Sequence, residues 1–208
     1  MIETIKEPLI AKRFLTAYMC IAKGAVNLFG VRSTSKKVRR IGMSYTPQQI
    51  ANFFLDKAEE ERLSMSQLKL IKMVYIAYGW NLALTGDRLF EEPIHAWKHG
   101  PVIDSLYHEF KHFKKAPISG RSEEVDFDTW DTINPRIPDE DKNTRLILNK
   151  VWAAYRRFTA WNLRNMTHEV GGPWHKVYRE NVDSIRLEDE DIREHYSKRI
   201  ASYLERTQ

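Results

Sequence analysis

Between Leu68 and Leu84 the chain carries Leu68, Leu70, Ile71, Met73, Val74, Tyr75, Ile76, Tyr78, Trp80, Leu82 and Leu84, which spread around most of a helical circumference. A helix without a polar face has to be covered on every side, so it belongs at the centre of a bundle. The flanking sequence supplies the cover. Thr46-Pro47-Gln48-Gln49 combines a hydroxyl N-cap, a proline at the first helical position and a glutamine three residues after the cap, and so predicts a first helix. Ile50, Phe53, Phe54 and Ala58 then form its buried stripe. The central helix opens at Ser64 or Ser66 and stops at Thr85-Gly86-Asp87.

Beyond it, Arg88–Phe90 and Ile94–Trp97 flank the turn Glu91-Glu92-Pro93 and read as a small hairpin. His99-Gly100-Pro101 reads as a break with a proline opening a third helix, whose stripe is Val102, Leu106, Phe110 and Phe113. Residues 114–143, with Pro117, Gly120, Pro135 and Pro138, form a long surface connection holding at most one short element around Val125–Trp130. Helices follow at Leu146–Phe158, from Thr159 or Asn162, at Pro173–Asn181, and at Asp189–Leu204 with Ile192, Tyr196, Ile200 and Leu204 inward. The expected fold is mainly α, a compact helical domain with a small β-hairpin between the second and third helices.

Charge divides the chain. The 208 residues carry a net charge of +5, but residues 1–42 hold nine Lys and Arg against Glu3 and Glu7, leaving 24 bases against 26 acids in the remainder. The body has no sequence-wide attraction for phosphate, so nucleic-acid binding is expected only through the arm. Residues 1–42 are therefore set apart as a basic N-terminal arm, either a genuine disordered one or an upstream extension of a frame that starts at Met43, with the helical domain occupying 43–208. Within the arm, Phe14–Phe29 is broken by Lys23, Gly24 and Asn27 and is too short an apolar run to span a membrane. The single cysteine, Cys20, excludes an intramolecular disulfide and a cysteine-rich zinc module, and points to a reducing cytoplasm.

One catalytic pattern stands out. His108-Glu109-Phe110-Lys111-His112 is an H-E-x-x-H run on the third helix, where histidines at i and i+4 share a face and the glutamate can act on a metal-bound water. A zinc-dependent hydrolase is therefore the alternative reading of this chain. Against it, Lys111 sets a cation beside the metal face, a third ligand would have to come from loop acids such as Glu123 or Glu124, and the segment also reads as an ordinary amphipathic helix. His95 and His99 point in different directions and do not suggest a shared metal. There is no P-loop and no serine nucleophile elbow.

Several blocks occur in order: Leu70–Trp80, Leu89–Val102 with the core E-x-P-I-x-A-W-x-x-G-P-V, Leu106–Lys111, then Leu163, Thr167-His168-Glu169 and Pro173-Trp174. From about Met43 to about Tyr203 the chain resembles the Panacea domain family of GepA-like phage-associated proteins and SocA-like antitoxins. The resemblance implies a cytoplasmic, often prophage-borne antitoxin that neutralises a cognate toxin protein by direct contact. In the SocA-like branch it implies an adaptor that delivers the toxin to an AAA+ protease. It implies no catalytic residues, no metal and no cofactor, and it makes His108 and His112 incidental. The motif positions Pro93, Trp97, Gly100, Pro101, His168, Pro173 and Trp174 admit two roles. They build the fold, with Trp97 against the central helix and His168 bonded to the hairpin, or they form a rigid platform for the toxin.

Overall fold

The computed structural model describes residues 44–182 and 184–205; the expectations placed on the basic arm and on Cys20 lie outside the described residues. Helix α1 (Pro47–Glu60) starts as the sequence predicts: Thr46 accepts from the Gln49 backbone N–H, and the Gln49 side chain accepts in return from the Thr46 backbone N–H. Helix α2 (Gln67–Thr85) is capped by Ser66 and closed by Gly86 in the left-handed conformation. Nearly all of it is buried, because α1, α4 (Lys142–Tyr155), α5 (Ala160–Thr167), α7 (Asp189–Glu205) and a small sheet all pack on it. Close packing of α7 depends on Gly79, where a Cβ would lie 2.1 Å from the Tyr196 ring. The core runs continuously through Phe54, Trp80, Phe90, Leu148, Tyr155, Ile192 and Tyr196.

A hairpin does lie between the second and third helices, but its strands are not the expected pair. Strand β1 (Ile94–Trp97) pairs antiparallel with β2 (Gly100–Ile103), Ile94 opposite Ile103 and Trp97 opposite Gly100. The turn is the two-residue loop Lys98-His99, made possible by Gly100 at φ +99°. Glu91-Glu92-Pro93 is instead a connection: Glu92 Oε1 accepts from the Ser105 backbone N–H at the start of α3 (Asp104–Phe110), and Tyr45 N–H donates to the Leu89 carbonyl. Pro101 therefore sits in a strand rather than opening a helix, and Val102 is buried in that strand. The strand is tolerant of proline because it is an edge in the sheet order β2-β1-β5. Strand β5 (Ile185–Arg186), which pairs with His95 and Ala96, is too short to leave a periodic signature.

The long connection after α3 contains a second hairpin, β3 (Glu124–Val125) with β4 (Thr132–Ile133), where the sequence suggests at most one short element. Helix α6 (Pro173–Val177) is shorter than expected and ends at Tyr178. No helix among the described residues is long and apolar enough to cross a membrane.

Candidate functional site

The two motif blocks, some 70 positions apart in sequence, meet at the β1–β2 turn. Gly100 is their centre: a methyl group placed on it would lie 2.8 Å from Lys72 Nζ, 2.9 Å from Thr167 Oγ1 and 3.0 Å from His168 Nε2. Lys72 projects from the middle of α2, is fully buried, and donates to the Pro101 carbonyl at 2.7 Å. Burial, with the charge of Arg164 added to it, pushes this ammonium well below the usual lysine range. Thr167 closes α5 by donating its hydroxyl to the Arg164 carbonyl at 2.8 Å. His168, which follows it, stacks on Trp174 with centroids 3.6 Å apart, and Trp174 stacks in turn on Tyr178. Trp174 Nε1 donates to the Trp97 carbonyl at 2.8 Å, tying α6 to the end of β1.

The electrostatics of this knot are one-sided. Burial lowers His168 to about 4, the charges of Arg164 and Lys72 push in the same direction, and a hydrogen bond with the His99 backbone only partly opposes them. His99 is lowered too, by burial and by Arg164, Lys98 and Lys72. The imidazole of His168 is thus neutral at pH 7, and its buried Nε2 has no hydrogen-bond partner among the described residues. Neutrality is what allows it to sit beside Lys72.

Trp97, Gly100, Pro101, His168 and Trp174 are therefore brought together, and Pro173 joins them as the first residue of α6. Pro93 is not: the strand register places it at the opposite end of the hairpin from Gly100, on the surface. The Trp97 ring packs edge-to-face on Tyr107 of α3, centroids 4.7 Å apart. Lys72 is the member that motif reasoning leaves without a job. Its signal is a lysine in the middle of a helix that is otherwise apolar all round, where no solvated face exists to receive it.

A cavity of about 10 Å³, room for one water, lies beside the knot, with Thr167, Pro173 and His195 in its lining. The H-E-x-x-H run does not stay on one helical face. Helix α3 ends at Phe110, and His112 falls in the following 3-10 turn (Lys111–Phe113), its Nδ1–H donating to the Glu109 carbonyl. Lys111 Nζ lies 3.4 Å from His108 Nδ1, and among the described residues no group of three or more His, Cys, Asp or Glu side chains is placed to hold a metal.

Residues 70–175 match the family described as antitoxin SocA-like, Panacea domain, a span that contains both blocks of the knot but is shorter than the expected reach from Met43 to Tyr203. The chain is also 30% identical, over 132 residues, to Antitoxin SocA of Caulobacter vibrioides strain NA1000, covering 63% of this chain and 69% of that protein. No solved structure matches the chain. The chain belongs to the SocA-like Panacea domain family of antitoxins.

Proposed function

We propose that this protein is the antitoxin of a toxin–antitoxin pair and neutralises its cognate toxin by direct protein–protein binding, without catalysis and without a cofactor. The observation that carries this reading is the family match over residues 70–175, supported by the identity to Antitoxin SocA. The geometry of the motif residues supports it in a second way. Trp97, Gly100, Pro101, His168 and Trp174 join the sheet, α2, α5 and α6 around Gly100, which supports a scaffold role for these positions. Recognition then falls to the surface that this scaffold holds rigid.

The test is co-expression with the adjacent open reading frame. Growth is scored when that neighbour is induced alone and when it is induced with the full chain or with residues 43–208. Toxicity relieved by both is the expected result and assigns neutralisation to the helical domain. A harmless neighbour, or toxicity relieved by neither, overturns the reading. The toxin level in rescued cells separates two routes. Toxin that persists is blocked by contact, whereas toxin that disappears has been delivered to a protease, the adaptor behaviour of the SocA-like branch.

A further inference from the structure

The most exposed large aromatic side chains among the described residues stand side by side. Phe127 is 79% exposed and Trp130 76%, at the tip of the β3–β4 hairpin, with their ring centroids 6.1 Å apart in an edge-to-face contact. Val125 and Ile133, on the strands below, are also exposed, so four of the seven large exposed hydrophobics among the described residues belong to this one element. They contribute nothing to the core. Trp130 in addition adopts a left-handed backbone, φ +61°, a conformation unfavourable for a bulky residue.

The hairpin is presented rigidly. Buried Asn52 on α1 donates to the Ser122 and Pro135 carbonyls and accepts from the Ser122 N–H, gripping both ends of the segment. Arg121 and Arg136, just outside those ends, both pair with Asp56 on the same helix. At the tip, Asp126 N–H donates to the Asp131 carbonyl and Trp130 N–H to the Asp126 carbonyl. Between Ser122 and Pro135 lie Glu123, Glu124, Asp126, Asp128 and Asp131, and no Lys, Arg or His. The charge selects the occupant: an apolar pair inside five carboxylates complements an apolar pocket with a basic rim, and it repels nucleic acid and a second copy of the same tip.

We infer that the Phe127–Trp130 tip of the β3–β4 hairpin is the element that docks into the toxin, and that the toxin surface it enters is an apolar pocket rimmed by Lys and Arg. The inference rests on the antitoxin reading and names the surface through which it works. The aromatics supply the slowly dissociating core of the contact and the carboxylates accelerate encounter.

The test uses the full chain and the product of the adjacent open reading frame. Two variants are compared with wild type: Phe127→Ala with Trp130→Gly, and Glu123→Gln with Glu124→Gln and Asp128→Asn. Glycine at 130 suits the left-handed backbone, so the first variant is expected to melt at the wild-type temperature, to lose about 100-fold in affinity and to fail in rescue. The second is expected to lose about tenfold in association rate at low salt, a difference that closes at high salt. Wild-type rescue together with undiminished binding by the aromatic variant overturns the docking site while leaving the antitoxin reading intact. Failure of the wild type to bind or rescue removes both. A tip that mediates self-association, seen as a dimer lost in the aromatic variant while toxin binding persists, also overturns the inference.

Discussion

Gly100 shows how one residue is constrained from two directions at once. Its φ of +99° is closed to side-chain-bearing residues at ordinary cost, and the space a Cβ would occupy is taken by Lys72 Nζ, Thr167 Oγ1 and His168 Nε2. Neither restraint is relieved by moving the other, since the turn fixes the backbone and α2 and α5 fix the neighbours. Gly100→Ala is expected to cost about 2–4 kcal/mol, from backbone strain together with displacement of the Lys72–Pro101 hydrogen bond. Urea titration of the variant checks this; a midpoint equal to that of wild type would mean that the knot yields without penalty. The glycine itself was legible in the sequence as a turn residue of the motif. The three polar atoms that crowd it were not, because they arrive from residue 72 and from residues 167–168, and no local pattern records that convergence.

At the scale of elements, the β3–β4 hairpin depends on α1 more than on its own pairing, which is only two residues long on each strand. An isolated hairpin of that size is not stable in water. Asn52 supplies what the strands lack, and its amide is buried among the carbonyls of Ser122 and Pro135 and the N–H of Ser122. Asn52→Ala is expected to cost about 2–4 kcal/mol, because it leaves those buried backbone groups unpaired. It is also expected to raise hydrogen exchange at the amides of residues 122–135 more than at those of α2. Uniform exchange across the two regions would show that Asn52 supports the whole fold and not the hairpin. From the sequence, this element was a surface connection because two-residue strands carry no usable periodicity. The misassigned partner of β1 has a related cause: Gly100-Pro101 reads in sequence as a break that opens a helix, whereas Gly100 at φ +99° follows a two-residue turn and Pro101 enters strand β2.

At the scale of the whole molecule, two half-buried histidines on different elements make stability sensitive to acid. His168 lies against Lys72, Arg164, His99 and Trp174; His195, on α7, is lowered to about 4 by burial and by Arg199. Glu169 lies 3.8 Å from His195 and favours its protonated form, but the same carboxylate binds Arg199 at 2.5 Å and burial wins. Both folded values lie below the ordinary histidine value of 6.5, so between pH 6.5 and 4 the unfolded chain binds more protons than the folded one. Stability is therefore complete above pH 6.5 and lost as the pH falls towards 4. After discounting for their partial exposure, the two histidines together account for about 2–4 kcal/mol of that loss. Urea midpoints measured from pH 8 to pH 4 should fall only below 6.5, and His168→Gln with His195→Gln should flatten the curve; an unchanged slope in the double variant would place the sensitivity elsewhere.

Within the described residues, Ser66 over Ser64 and Thr159 over Asn162 were settled by the structure, whereas the helical class, the central position of α2, the caps at Thr46 and Gly86, and the order of motif blocks that marks the family were all legible in the sequence. These are local matters: cap geometry and the 3.6-residue period act over a few neighbours and leave their record in consecutive residues. The tertiary structure alone decided that the motif blocks close on one glycine, that Lys72 is buried among them, and that Phe127 and Trp130 stand clear of the body on a hairpin held by Asn52. Such arrangements are set by packing between elements far apart in the chain, where burial and hydrogen-bond pairing are properties of the assembled neighbours and of no single segment.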